Sequence, residues 1–345
     1  MASDSDVTQA KAKAIPMILD VDTGVDDAMA VLLAIRSPEV EVKAITCVHG
    51  NVHVDKVTEN TLKVLDMAGA AEGLPVAKGF DRPLIQEVLH CPEIHGRDGL
   101  GDLEPSLPST TQRKAHPEHA VQLLNETLRK AEAEGEKVTI VALAPLTNIA
   151  VAYRMDSALW HRRLERLYWM GGAVSGGGNA RVWSEANASY DPEAAHIMLS
   201  SGLPITIYPW DMFMKMTYTE PELTKTPVLV GESDEANRAA LSASSLARRL
   251  LLREIRYFSV ETGTIGDAGV VAAAIRGDAV TTKPVHVQME LHGSLTRGMT
   301  VFDLRAFSHP PDEPIQSPNV QLVTAVDAPV LKELFTTRVI EPTLA

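Results

Sequence analysis

Four aspartates, Asp20, Asp22, Asp26 and Asp27, crowd into "MILDVDTGVDDAMAVLLAI" (17–35), a stretch that otherwise reads as an apolar strand running into an apolar helix. No lysine or arginine lies in the segment. Asp20 and Asp22 fall at the end of the strand, Gly24 permits a sharp turn, and Asp26 and Asp27 occupy the first helical turn. A helix dipole favours each charge there by only about 0.3–1 kcal/mol. Repulsion and desolvation cost several kcal/mol per buried ion, roughly, when nothing positive is near. One aspartate could cap the helix and leave the others in water. D-x-D-x-G-x-D-D on a strand–turn–helix is better satisfied by a hard divalent cation, because Ca²⁺ and Mg²⁺ are bound by carboxylates and backbone carbonyls.

Such a cluster must be held by a sheet, since ligands in open parallel sheets gather at the carboxyl ends of the strands. Strands are predicted at 15–20, 42–48, 137–143, 166–170, 203–209 and 284–290. Several are apolar almost throughout, as strands buried on both faces should be. Helical patterns lie between them at 25–36, 54–69, 117–134, 147–158 and 191–201, the last opening on "DPEAA" with Asp191 as cap. The alternation predicts an α/β fold: an open, mostly parallel, Rossmann-like sheet flanked by helices. Residues 219–262 are charged and helix-rich, and are expected to form a helical insertion over the sheet edge or an ordinary surface helix pair. One domain is expected over 15–345, behind a disordered leader at 1–14.

The 32 basic and 45 acidic side chains leave a net charge of −13, which disfavours nucleic-acid or anionic membrane surfaces as partners. Two cysteines, Cys47 and Cys91, cannot build a disulfide framework, and no apolar run reaches the roughly 18 residues of a membrane span. The leader lacks a secretory apolar region, so a cytoplasmic location is expected. Cys47, His49, Cys91 and His95 do not form the paired spacing of a zinc site. "GGGN" lacks the Lys-Ser/Thr of a phosphate-binding loop.

Six motifs in order carry a likeness: "DVDTGVDDAMAVLLAI", "AITCVHGN" ending in Asn51, "HGRDGLGD" (95–102), "LAPLTNIA" (143–150), "GGGNARVWSEANASYDPEAA" (176–195) and "GSLTRGMTVFD" (293–303). Together they resemble the nucleoside hydrolases of the inosine–uridine-preferring type, from about residue 15 to about 310. The resemblance implies Ca²⁺-dependent hydrolysis of a ribonucleoside N-glycosidic bond through an oxocarbenium-like transition state. It implies that Asp22, Asp27, the carbonyl of Leu143 and Asp267 hold the metal, Asp22 also being the general base. Asp26, Asn51, Asn179, Glu185 and Asn187 would grip ribose hydroxyls, Glu185 and Asn187 close enough to the reaction to count as catalytic. Asp20 would brace the ligands from behind. Asp267 could instead cap the helix at 268–276, and each asparagine taken alone could be a turn residue. A homodimer or homotetramer is implied.

The likeness breaks at one position. Many relatives carry a histidine before the distal aspartate, where this chain has Gly266. Activation of the departing base must then come from elsewhere, and Trp183, Trp210, Tyr257 and His95 are the candidates, Trp183 alternatively being a core aromatic. Ala186 stands where many relatives have phenylalanine, which leaves the base preference open. Two rivals remain. A Mg²⁺-dependent phosphatase of the haloacid dehalogenase type also begins D-x-D after a strand and would use Asp20 as nucleophile. A non-catalytic nucleoside or ribose sensor would have kept the pocket and lost the acid.

Overall fold

The computed structural model describes residues 13–103, 110–175, 177–225, 235–307 and 314–343. Nearly all of the leader at 1–14 and part of the insertion at 219–262 therefore lie outside the described residues.

Eleven strands are formed among those residues: β1 Ile15–Val21, β2 Val40–Cys47, β3 Val76–Lys78, β4 Val138–Ala142, β5 Leu164–Met170, β6 Ile205–Tyr208, β7 Thr217–Thr219, β8 Thr262–Thr264, β9 Val280–Met289, β10 Thr300–Asp303 and β11 Val320–Val326. Nine of them build one open sheet in the order β10-β9-β11-β6-β5-β4-β1-β2-β3. From β3 to β11 every pairing is parallel; only β9 and β10 run antiparallel to their neighbours. The chain winds outward from β1 through β2 to β3, then crosses back to β4 and proceeds the other way. β1 and β4 therefore flank the switch point, where an open sheet leaves a crevice at its carboxyl edge.

Both faces of the sheet are covered. Met17, Leu19 and Val21 of β1 enter one apolar cluster while Ile18 enters the other, as the two-residue period of a strand requires. The first cluster also takes in Met29 and Leu33 of the helix Val25–Arg36; the second takes in Leu124 and Leu128 of the helix Ala120–Glu134. The predicted helix at 147–158 stops at Met155, because Asp156 accepts the amide of Leu159 at 3.2 Å and starts a separate helix, Ser157–Arg163.

The insertion is dominated by one long helix, Glu235–Phe258, framed by the antiparallel pair β7–β8. Its stripe of Ala243, Leu246, Ala247, Leu250 and Leu251 recurs at three- and four-residue spacing and needs an apolar partner. That partner is the helix Val54–Ala68 together with Thr336–Ile340, so the lobe caps the helical layer on one face rather than the sheet edge. No described helix is long and apolar enough to cross a membrane.

Candidate active site

The carboxyl ends of five strands converge on a cavity of about 480 Å³. Asp22 follows β1, Asn51 follows β2, Leu143 follows β4, Met170 ends β5 and Trp210 follows β6, and all five line it. Asp26, His95, Asn179, Glu185, Asn187 and Asp267 join the wall from the intervening loops and helices. Residues far apart in the chain thus meet because each sits just past the edge of the same sheet.

Carboxylates crowd the floor. Asp26, Asp27 and Asp267 each bring one oxygen within 4.8 Å of the others. Asp27 is locked in place by the amides of Asp22 (3.2 Å) and Gly24 (3.0 Å) and by Nδ2 of Asn51 (3.1 Å). The amide of Asn51 donates to Oδ2 of Asp22 at 2.9 Å, whereas Oδ1 of Asp22 is buried with no hydrogen-bond partner among the described residues. Burial raises the carboxyls of Asp22 and Asp267 well above their ordinary range and pushes Asp27 up to about 8, neighbouring aspartates adding to the effect. An all-oxygen set with an unpartnered buried carboxylate oxygen fits a hard divalent cation such as Ca²⁺. Asp26 is in both settings at once, lining the cavity and joining the acidic trio. Asp267 lies inside the first turn of the helix Gly266–Ile275, whose N-terminus has no side-chain cap. The capping alternative for Asp267 is thereby removed.

Asp20 is fully buried and does not line the cavity. Its Oδ1 accepts from Thr46 Oγ1 (2.5 Å) and Asn148 Nδ2 (2.9 Å), which ties β1 to β2 and to the helix Thr147–Met155. A carboxylate so enclosed cannot serve as the nucleophile of a phosphatase. Gly24 also differs from expectation: its φ of −101° is open to any residue, but a Cβ there would run into the His95 ring and the Asn51 amide. Glycine is needed for the close approach, not for the turn.

The opposite wall is set by Glu185. Its carboxyl accepts from the amides of Asn187 (2.8 Å), Ala188 (3.0 Å) and Gly172 (2.9 Å), capping the short helix Ala186–Tyr190. Burial nonetheless pushes it up to about 7. Nδ2 of Asn187 donates to the carbonyl of Leu143 at 2.8 Å, which fixes that carbonyl at the cavity wall. Oδ1 of Asn179 accepts the amide of Ala186 at 2.8 Å, so the amide end of Asn179 is the part left for other partners.

A smaller chamber of about 130 Å³ adjoins the cavity and shares Asp26, His95, Asn179, Trp210 and Phe213 with it. Nδ1 of His95 accepts the amide of Val25 at 3.2 Å, so the ring proton is on Nε2. Trp210 and Phe213 stack with centroids 4.6 Å apart. Two of the aromatic candidates fall elsewhere. Trp183 is at an exposed turn closed by the Arg181–Ser184 bridge, outside both linings. Tyr257 is 61% exposed and stacks under the Arg253 guanidinium, 4.3 Å from its ring centroid, one turn along the same helix. Tyr190, Phe213 and Glu254 line the two spaces without having been singled out in the sequence, and Cys91, considered there only for zinc, lines the larger one. Tyr190 lies within the recognised run 176–195 and Cys91 shortly before the one at 95–102; Phe213 and Glu254 carry no local signal.

Fold and site together define an α/β protein with an acidic, cation-suited cavity at the carboxyl edge of its sheet. The profile of the family described as inosine-uridine preferring nucleoside hydrolase matches residues 17–333, and the chain belongs to that family. It is 36% identical over 289 residues to the inosine-uridine preferring nucleoside hydrolase of Leishmania major, covering 84% of this chain and 88% of that protein. It is 34% identical over 295 residues to the pyrimidine-specific ribonucleoside hydrolase RihA of Escherichia coli, covering 84% and 89%. The structure of a plant nucleoside hydrolase, the PpNRh1 enzyme, superposes with a TM-score of 0.80 at 29% identity, covering 96% of this chain and all of that one. The protein is an enzyme of the ribonucleoside hydrolase class, an N-glycosidase.

Proposed function

We propose that the enzyme hydrolyses the N-glycosidic bond of ribonucleosides to ribose and free base with the help of Ca²⁺, held by Asp22, Asp27, Asp267 and the carbonyl of Leu143. The observation that carries this reading is the buried, unpartnered Oδ1 of Asp22 beside the Asp26–Asp27–Asp267 trio. When bound, such a cation supplies Lewis-acid activation of water and charge that keeps the crowded carboxylates ionised.

The protein's own groups do the rest. Asp22 accepts the proton of the attacking water as that water adds to the anomeric carbon. Asn51 keeps Asp22 and Asp27 oriented through its amide and side chain. Asp26, Asn179, Glu185 and Asn187 line the cavity and hold ribose hydroxyls, giving the sugar selectivity that an apolar wall could not. Their negative and dipolar character stabilises the positive charge that grows on the sugar. His95 presents Nε2–H toward the base, and Trp210 with Phe213 gives the base an aromatic wall. Composition and family likeness alone support action in the cytoplasm as a homodimer or homotetramer.

The test is direct. Purified protein is incubated with inosine, uridine, adenosine, guanosine and cytidine, with and without EDTA, and reducing sugar is measured. Ribose release that chelation abolishes, and that Asp22→Ala removes, is expected. Saturable nucleoside binding without ribose release from any of the five in added calcium would leave a sensor instead.

A further inference from the structure

The smaller chamber, assigned to the base under the proposed function, holds four titratable side chains: Asp26, His95, Arg253 and Glu254. A departing purine or pyrimidine is a poor leaving group and gains from receiving a proton as the bond breaks. Asp26 belongs to the acidic trio, the Arg253 guanidinium is engaged with the carbonyl of Ile94, and Nδ1 of His95 is occupied by the Val25 amide, which leaves a neutral ring. Position 266 offers nothing, because the Phe213 ring fills the space that any side chain there would need.

We propose that Glu254, on the long helix of the insertion, is the general acid that protonates the leaving base. This deepens the hydrolase reading and rests on it. Oε2 of Glu254 accepts the amide of Thr264 at 3.1 Å, and Thr264 lines the same chamber, so the carboxyl is held at the wall instead of swinging in solvent. Burial pushes this carboxyl up to about 7; Asp26 adds to the rise, and the Thr264 amide and Arg253 oppose it. In the step, the C1′–N bond breaks and its electron pair goes to the base. The Glu254 proton passes to a base nitrogen, water oxygen bonds to C1′, and the water proton goes to Asp22. After the products depart, Glu254, now a carboxylate, regains a proton from solvent and Asp22 releases the one it took from water.

The experiment compares two donors, guanosine and a nitrophenyl riboside whose phenolate departs without a proton. Glu254→Gln keeps an acceptor for the Thr264 amide. It should lower kcat on guanosine by about 10²–10⁴-fold, the usual weight of a general acid, with kcat on the nitrophenyl riboside within about threefold of wild type. Independently of any variant, the alkaline limb of the wild-type pH profile should be present with guanosine and absent with the nitrophenyl riboside. Equal losses on both donors, no loss on guanosine, or the same alkaline limb with both would overturn the proposal. A wild-type enzyme that releases ribose from none of inosine, uridine, adenosine, guanosine and cytidine would instead overturn the hydrolase reading beneath it.

Discussion

Phe213 occupies the volume that a side chain at position 266 would need: a Cβ built on Gly266 overlaps its ring. The two residues are reciprocal, and the histidine expected there in many relatives cannot be restored on its own. Gly266→His is expected to overpack this wall and cost about 1–3 kcal/mol. Gly266→His with Phe213→Gly should recover most of that. Chemical denaturation of the two variants beside the wild type checks it.

Cation binding should be visible without turnover. Calcium at about 100 times its Kd should stabilise the folded chain by about 2.7 kcal/mol, and EDTA should reverse the effect. Asp267→Ala removes one carboxylate of the trio and should abolish the calcium-dependent rise in Tm. Thermal melts with and without calcium decide it.

In the metal-free protein the sign of the pH dependence follows from burial. Asp20 and Glu185 are pushed up to about 7 and Asp27 to about 8, against about 4 for exposed carboxylates. Between these limits the folded state binds more protons than the unfolded chain, so stability falls as pH rises. Metal-free protein is therefore expected to melt at a lower temperature at pH 8 than at pH 5.5. Saturating calcium, which favours the ionised carboxylates, should flatten or reverse that slope.

Asp191 joins three parts of the fold. It accepts from Thr147 Oγ1 at 2.6 Å, the Leu84 amide at 3.0 Å and the Ala194 amide at 3.0 Å, the last capping the helix Pro192–Leu199. Asp191→Ala should cost at least about 2 kcal/mol, a lost cap plus stranded donors. Urea denaturation measures it.

The two tryptophans near the site should separate cleanly. Trp210→Ala removes half of the stacked wall and is expected to weaken KM for a nucleoside about 3–10-fold, the range of an aromatic contact of about 0.5–1.5 kcal/mol. Trp183→Ala, at the exposed turn, should leave KM within about twofold. Steady-state kinetics on one nucleoside suffice.

The site's floor was legible in part because Asp22 follows a strand whose apolar run announces itself, while Asn51 and Leu143, though they too follow such runs, entered the site through family likeness. Asp267 and Glu185 were reached only through family likeness, since neither spacing nor pattern joins residues so distant in the chain. Trp183 misled because an aromatic inside a recognised run says nothing about which way a turn aims it. Phe213 and Glu254 were missed for a related reason: they are ordinary members of helices, and only tertiary packing brings them to the chamber. The short strand β3 also escaped, as did the antiparallel pairing of β9, a strand expected at 284–290, because pairing is settled by neighbours more than by a strand's own propensity.

Arg253 donates to the carbonyl of Ile94 and so latches the long helix onto the segment that carries His95. The cover of the chamber is thus assembled from parts that contribute no strand to the sheet, while the floor is made of strand termini that the sheet holds in register. Substitutions in the cover can accumulate without disturbing the floor. On the proposed assignment of the floor to the sugar and the chamber to the base, a lineage with this architecture is free to change which bases it accepts while its grip on the sugar stays as it was.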